Sequence, residues 1–328
     1  MKKGMKKWMG LILGLCMVFA LAGCGNDNKK AETETKVTSI SENGYPREIT
    51  NYDGETLKLE KKPKQIASLV FGTDEMLLSL SDLSSIVGLS GKDNGCAYLS
   101  PEGAKATDIQ RVNDNAEVLM SLKPDFIIGS SWVDEDLLAQ IKDSKIPYYG
   151  YVTPKTLEEQ VQVVRDLGYL LGEDDKTEFV VSDMETRIQA VVDKASSIPD
   201  EERIKVIAYN MHESTNAKGT IFDDMVAKSG AINLSSQAGL EGTAKISKEQ
   251  IVEMNPDVII LLEWASDTDE EFSAFKDELL ADESLKEVNA VKNQRVYVST
   301  DNSITNISQY TVNGLEFIAK SCYPEVFK

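Results

Sequence analysis

Two patterns of apolar and polar positions alternate along this chain. Continuous apolar runs that end at turn residues predict buried strands at 65–71, 85–90, 126–129, 147–151, 205–210, 258–262 and 295–299. Amphipathic segments predict helices at 134–144, 157–171, 174–197, 220–228 and 248–254. Another helix is predicted after the first strand, with Thr73 as its N-cap. Strands that alternate with helices form parallel sheets, so the pattern predicts an α/β fold. Before it, 48–60 predicts a β-hairpin that turns at Asp53-Gly54.

Two segments of the chain repeat one pattern at an offset of 132 residues. EVLMSLKPDFII at 117–128 matches EQIVEMNPDVII at 249–260 in its glutamate, its Pro-Asp pair and its Ile-Ile ending. In each segment a short helix stops at proline, which cannot continue helical hydrogen bonding, and a buried strand follows. The repeat predicts two similar lobes with parallel-rich sheets, at 46–154 and 203–328. A helical segment, 155–202, joins them through one long helix at about 174–197.

The first 24 residues predict a secreted protein with a lipid anchor. Four lysines precede an apolar run at 8–22, which is too short to span a bilayer well but is typical of a signal-peptide core. The run ends in Leu-Ala-Gly-Cys, which resembles the lipobox of bacterial lipoproteins and implies a signal peptide at 1–23 and lipidation of Cys24. Residues 24–45 are predicted to be a flexible tether, which places the protein on the outer face of the cell membrane. The alternative is an ordinary secretory signal with a chance cysteine.

Charge and composition narrow the choice of partners. Removal of the four signal lysines takes the net charge from −19 to −23, which argues against nucleic acid or anionic lipid as the main partner and suits docking on a basic surface. Cys96 and Cys322 fall in different predicted lobes, so a disulfide between them is not favoured. No zinc-type spacing is present. A single histidine, His212, excludes a metal binder of the histidine-cluster kind.

Several segments, in order and spacing, resemble the binding-protein family of iron-chelate and cobalamin ABC importers. They are PKQIASLVFGTDEMLLSL at 63–80, IVGLS at 86–90, EVLMSLKPDFII at 117–128, GTIFDDMVAKSGAINL at 219–234 and KISKEQIVEMNPDVIIL at 245–261. The resemblance covers roughly 47–328. It implies two lobes bridged by one rigid helix, with small closure movements and a ligand cleft between the lobes.

The resemblance also implies the function. The protein is expected to be a monomeric, non-enzymatic solute-binding component without a cofactor of its own. It would deliver a ferric siderophore or related iron chelate to a dimeric permease and its ATPase. A corrinoid such as cobalamin, or haem, is the alternative ligand.

By the same resemblance, one surface glutamate in each lobe docks into arginine pockets of the permease. Glu117 and Glu249 fall on those motif positions. Each also stands at a predicted helix start, where the helix dipole stabilises a carboxylate without any partner. The duplicated placement suits a two-fold permease and favours docking over simple capping.

Loops at the carboxyl ends of the strands are predicted to line the cleft. The predicted lining residues are Phe71, Gly72, Tyr98, Ser130, Trp132, Tyr151, Met211, His212, Lys245 and Trp264. An imidazole such as that of His212 is able to bind haem iron or corrinoid cobalt axially. A lone histidine is more often a hydrogen-bonding residue, so the expectation is a lining role without direct metal ligation.

The ligand's charge and two other classes of protein remain open at this point. Only six arginines are present, mostly outside the predicted cleft loops, which favours a neutral ferric hydroxamate, a corrinoid or haem over an anionic chelate. Lysines keep the anionic option open. A secreted hydrolase is disfavoured because the chain has no Gly-x-Ser-x-Gly motif and only His212 as an imidazole base. A lipid-tethered ligand-sensing module would share the fold but need neither Glu117 nor Glu249.

Overall fold

The computed structural model describes residues 44–90, 101–112, 114–263, 269–299 and 303–328. Its strands are β1 (Arg47–Thr50), β2 (Thr56–Leu59), β3 (Ile66–Ser68), β4 (Ile86–Gly88), β5 (Phe126–Ser130), β6 (Tyr148–Tyr151), β7 (Lys205–Tyr209), β8 (Ser214–Asn216), β9 (Ile232–Asn233), β10 (Thr243–Lys245), β11 (Val258–Leu261) and β12 (Val296–Val298). Its helices are α1 (Phe71–Leu80), α2 (Ala116–Ser121), α3 (Glu135–Ser144), α4 (Leu157–Leu171), α5 (Asp174–Ala195), α6 (Ile221–Lys228), α7 (Leu234–Gln237), α8 (Lys248–Met254), α9 (Asp269–Ala281), α10 (Asn289–Lys292) and α11 (Thr311–Cys322). The predicted signal peptide, Cys24, Tyr98 and Trp264 lie outside the described residues.

Two four-stranded parallel sheets form the centre of the fold. The first has the order β4-β3-β5-β6 and the second the order β9-β7-β11-β12. When the four strands of each sheet are numbered by their order in the chain, they lie side by side as second, first, third and fourth. The first lobe is defined here as β3–β6 with α1–α3, and the second lobe as β7–β12 with α6–α11. The predicted α/β fold with two similar, parallel-sheet lobes is therefore confirmed.

The repeated Pro-Asp pairs do the same structural work in both lobes. The carboxylate of Asp125 accepts hydrogen bonds from the backbone N–H groups of Lys64 and Gln65, at 2.9–3.1 Å, just before β3. The carboxylate of Asp257 accepts one from the N–H of Lys205 at 3.1 Å, at the start of β7. Each aspartate precedes the third strand of its sheet and bonds to the beginning of the first strand. The repeated residue thus helps to align the two central strands.

Helices α4 and α5 join the lobes. Gly168 on α4 allows the close approach of α5, because a Cβ there would lie 1.7 Å from Thr177 Oγ1. At its N-terminus α5 is held by Arg47, whose Nη1 and Nη2 each donate to a carboxylate oxygen of Asp174 at 2.6 Å. Farther along, Arg187 on α5 donates to both carboxylate oxygens of Glu316 on α11. The predicted long helix at 174–197 is present at 174–195 and contacts elements of the second lobe directly.

Two local predictions around the first strand are wrong. The strand ends at Ser68, and Phe71 already belongs to α1. The hydroxyl of Ser68 donates to the carbonyl of Val70, and the chain turns here. The apolar run nevertheless continues through Leu69, Val70 and Phe71, which is why the sequence predicted a longer strand. Val70 occupies the N-cap position and no side chain caps the helix. Thr73 is buried in the first turn, where it bonds to Tyr151 instead.

Other elements show how far burial departs from the sequence pattern. The short strands β8 (STN) and β10 (TAK) pair in an antiparallel ribbon although neither is apolar.

Cys322 lies buried at the end of α11, where burial raises the pKa of its thiol to about 12. Cys96 is outside the described residues, so the structure does not test a disulfide between the two. Among the described residues, no helix is both long and apolar enough to cross a membrane.

Replacement of either repeated aspartate by alanine should destabilise the protein. Asp125→Ala and Asp257→Ala each remove a charged acceptor of backbone N–H groups, for an expected loss of about 1–2 kcal/mol of unfolding free energy at these partly exposed sites. Urea unfolding measures it. Asp143→Ala, at an exposed position on α3, is the matched control. Equal stability of all three variants would contradict the role assigned to the repeat.

Candidate functional site

A continuous chain of contacts links the carboxyl ends of the two sheets. At the end of β6, the hydroxyl of Tyr151 shares a 2.9 Å hydrogen bond with Thr73 in the first turn of α1. In the same turn, Gly72 packs against the backbone of Ile307, because a Cβ at this glycine would lie 2.2 Å from the Ile307 carbonyl oxygen. Thr305 then donates to the carbonyl of Glu263, two residues after β11, at 3.2 Å. The carboxyl ends of both sheets therefore face each other across α1 and residues 303–309.

Side-chain hydrogen bonds strengthen this contact between the lobes. Nε2 of Gln309 donates to the carbonyl of Glu75 at 2.9 Å and to the hydroxyl of Ser79 at 2.6 Å. Gln309 is only 5% exposed and Glu75 is fully buried. Phe71, at the helix start, is half-buried. Of the predicted cleft residues, Gly72 therefore lies directly at the contact between the lobes, with Phe71 beside it.

The first turn of α1 is polar and closed off from solvent. Asp74 has no exposed surface, and its carboxylate accepts hydrogen bonds from the backbone N–H and the hydroxyl of Ser90. Burial raises the pKa of Tyr151 to about 12, although the bond from Thr73 opposes this shift. Tyr151 therefore stays neutral and supports α1, and its hydroxyl is already engaged.

Trp132 offers an exposed aromatic face just beyond the carboxyl end of β5. It lies two residues beyond β5, and its indole side chain is 80% exposed. Ser130 is buried, and its hydroxyl accepts the backbone N–H of Trp132 at 3.2 Å. This bond fixes the backbone that carries the indole. An exposed aromatic ring on a fixed backbone is suited to stacking on a flat or apolar ligand surface.

In the second lobe, residues 210–214 form a turn at the carboxyl end of β7. Met211 is half-buried, and His212 is exposed at the tip. Lys245, on β10, donates from Nζ to the carbonyl of His212 at 2.6 Å. The structure thus brings these three predicted cleft residues together. The ammonium group of Lys245 is therefore engaged in a hydrogen bond to the backbone.

Most arginines are committed to structural bonds. Arg47, Arg165, Arg187 and Arg203 form ion pairs, and Arg295 donates to carbonyls at the end of α11. Arg111 differs in position, because it lies beside Leu89, just after β4, at the carboxyl end of the first sheet. This position is not evident from the sequence, because the segment around Arg111 has no strand pattern.

Glu117 and Glu249 occupy equivalent exposed positions, each in the first turn of its helix. Other residues supply the caps of these helices. Asn115 Oδ1 accepts the N–H of Val118 in α2, and Ser247 forms a capping box with Gln250 in α8. A hydrogen bond from Ser247 is the main reason that the pKa of Glu249 is lowered, so its carboxylate is charged at neutral pH. Neither glutamate is needed as a cap.

Metal chemistry by the protein itself has no support in the described ranges. No group of three or more His, Cys, Asp or Glu side chains among the residues from 44 onward that the structure describes is placed to hold a metal ion. The roles of the predicted lining residues, including His212, stay predictions.

Two parallel-sheet lobes joined by α5, with polar and aromatic residues where the sheets face each other, define a two-lobed solute-binding protein. A comparison with known families agrees. The model of the periplasmic binding protein family matches residues 66–302, and the chain belongs to this family.

Similar proteins extend this result. The ABC transporter substrate-binding lipoprotein YvrC of Bacillus subtilis is 28% identical over 338 residues, which cover 100% of both chains. The petrobactin-binding protein YclQ of the same organism is 24% identical and covers 89% of this chain and 90% of its own. The apo structure of the periplasmic heme-binding protein RhuT from Roseiflexus sp. RS-1 shares the fold, with a TM-score of 0.68 and 23% identity over 81% of this chain and 99% of RhuT.

Introduction of a methyl group at the contact between the lobes should disrupt it. In Gly72→Ala the new Cβ meets a backbone carbonyl, so α1 or residues 306–307 must shift, at an expected cost of about 1–3 kcal/mol of unfolding free energy. Urea unfolding measures the loss. Ser182→Ala, at an exposed position on α5, is the control. Stability equal to that of the control would show that the lobes do not press together at Gly72.

Proposed function

We propose that this chain is the extracytoplasmic solute-binding component of an ABC importer and that it captures a ferric siderophore or related iron chelate. The observation that carries the proposal is the chain of contacts from Tyr151 through Gly72 to Glu263, which sets the carboxyl ends of two parallel sheets against each other. Such ends are where open α/β sheets bind ligands. A site between two lobes has residues from both available to surround one small molecule.

The chemistry of the lining residues supports a preformed chelate as ligand. The described residues that follow the strands offer an exposed indole and one imidazole, and no group of three or more metal-binding side chains lies among the described residues. All six arginines already have interaction partners within the protein, which favours a neutral ferric hydroxamate over a strongly anionic chelate. A similar protein is named as petrobactin-binding, which supports an iron chelate.

Haem and corrinoids are the alternative ligands. The exposed Trp132 suits the flat face of either macrocycle. A solved structure with the same fold is named as a heme-binding protein. His212 lies exposed at a turn tip, where an imidazole is able to approach a metal from one side. This alternative and the siderophore are separated by the ligand panel below.

We further propose that the protein is anchored to the outer face of the membrane through lipidated Cys24. A relative aligned over its whole length is named as a lipoprotein, which supports this assignment. The first described residues are fixed firmly to the fold. Arg47 bonds to Asp174 and packs over the rings of Tyr45 and Tyr169, at 5.1 and 4.9 Å to the ring centroids. Because residues 44–47 are bonded to the rest of the fold, a lipid anchor at Cys24 would keep both lobes near the permease.

We also propose that Glu117 and Glu249 dock on the permease. Both are exposed carboxylates at the same position of the two repeats, and other residues cap both helices. Two such charges, one per lobe, are complementary to paired basic pockets on a two-fold partner. The overall acidity of the chain favours the same encounter through long-range attraction.

A ligand panel tests the substrate class. A ferric trihydroxamate, a ferric tricatecholate, haemin and cobalamin are added separately, and thermal unfolding is followed. The true ligand should stabilise the protein by about 2.7 kcal/mol at a hundredfold excess over its Kd. Trp132→Ala should abolish most of that shift while leaving the unliganded protein unchanged, because the indole is 80% exposed.

Phe179→Ala is the matched control for this panel, because that ring is 78% exposed on α5, away from the strand ends. It should keep the full shift. No shift with any of the four compounds would refute the proposed substrate classes. A shift with haemin or cobalamin alone would replace the siderophore by that alternative.

Docking is tested by uptake. The double variant Glu117→Ala/Glu249→Ala should lose uptake of the ligand identified by the panel, while its Kd for that ligand stays unchanged, because neither exposed carboxylate is among the predicted lining residues. The control is Glu135→Ala/Glu253→Ala, at exposed positions on α3 and α8. Normal uptake by the docking variant would sink the docking assignment and favour a tethered sensing module.

A further inference from the structure

The turn that follows β7 depends on one buried side chain. Asn210 is 1% exposed, and its Oδ1 accepts three hydrogen bonds. They come from the backbone N–H of His212 at 3.0 Å, from the N–H of Ser214 at 3.1 Å and from the Ser214 hydroxyl at 2.9 Å. The backbone closes the same turn, since the N–H of Glu213 donates to the Asn210 carbonyl at 3.0 Å. Four hydrogen bonds of the turn thus converge on one residue.

The bend needs this acceptor. Glu213 adopts a φ of +52°, in the left-handed region that residues other than glycine rarely enter. The bend turns the N–H groups of His212 and Ser214 away from the strand ladder, and the amide oxygen of Asn210 satisfies them. A glutamine would be one methylene too long, and a serine hydroxyl would be too short. Among natural side chains, aspartate has the same length and an acceptor at the same place.

The other side of the turn is held by the ribbon of β8 and β10. The N–H of Ile246 donates to the Glu213 carbonyl at 3.0 Å, and Lys245 bonds to the His212 carbonyl. The tip is therefore clamped from two directions while the side chains of His212 and Glu213 remain exposed. It lies at the carboxyl end of β7, the end of the second sheet that faces the proposed cleft.

We propose that Asn210 is the positioning residue of the ligand-facing turn: through Oδ1 it sets where Met211 and His212 stand, without touching the ligand itself. The inference rests on the proposed function, because it takes residues 210–214 as part of the cleft. Asn210 Nδ2 is buried and makes no hydrogen bond with any residue that the structure describes. The oxygen of the amide therefore carries the role.

Two substitutions separate the oxygen from the nitrogen. Asn210→Asp keeps an acceptor in place of Oδ1 and replaces the NH2 group by a second oxygen. The three donors to Oδ1 stabilise the carboxylate at this buried site. Asn210→Ala removes the acceptor. The full chain contains a single histidine, so, when no histidine tag is added, [ε1-13C]histidine labelling gives one imidazole signal that reports on the turn. This signal should stay single and sharp in Asn210→Asp and broaden or split in Asn210→Ala.

Binding of haemin and of a ferric trihydroxamate to the same proteins gives the second measurement. For whichever compound binds the wild type, Asn210→Ala should weaken binding by about tenfold or more, and Asn210→Asp by less than about threefold. Asn233→Ala is the structural control. Asn233 is a buried asparagine of the same lobe whose amide bonds to Asn216, Ser235 and Asp223, so its loss should lower stability without changing the His212 signal.

An unchanged histidine signal in Asn210→Ala, or a disturbed one in Asn210→Asp, would overturn the positioning role. Equal loss of affinity in the two variants would do the same, because it would assign the effect to Nδ2. If neither compound binds the wild type, the two probe chemistries fail while the NMR comparison still decides the role of Asn210.

Discussion

The contact between α1 and residues 303–309 is the constraint on which the rest of the arrangement depends. It is possible only because position 72 has no side chain, since a methyl group there would overlap the Ile307 carbonyl. Gln309 then adds two hydrogen bonds to the same helix. Together with α5, this contact fixes the lobes at two separate places, so the strand ends that face each other keep a defined spacing. A site built between them is largely preformed, which reduces the ordering cost of binding.

Duplication explains how one chain builds two facing sheets. The same strand order and the same aspartate bond occur in both lobes, so each lobe presents its strand ends in the same way. The lobes then differ in the residues that follow their strands. The first places an exposed indole beside its strand ends, and the second places a hydrogen-bonded turn with a histidine. Common architecture with different loops is how a single fold family accommodates different ligands.

Much of the fold was predictable because its elements are long or strongly patterned. The α4 bounds agree with the sequence prediction, and the repeat located α2 with β5 and α8 with β11. The misses have one physical origin, which is that tertiary contacts override local pattern. Thr73 looked like a cap but is used by Tyr151, and the polar strands β8 and β10 form because they pair with each other. Arg111 and Asn210 escaped notice because their positions depend on chain segments that meet only in the folded protein.

The central claim is that one preformed iron chelate occupies the space between the lobes, and metal analysis tests it most directly. The protein is incubated with a ferric trihydroxamate, separated from free chelate by gel filtration, and its iron content is measured. The account predicts about one iron per chain, as expected for a single tight site, and a clear decrease in Trp132→Ala. Iron retention at background level, with this chelate and with the ferric tricatecholate and haemin, would contradict the account.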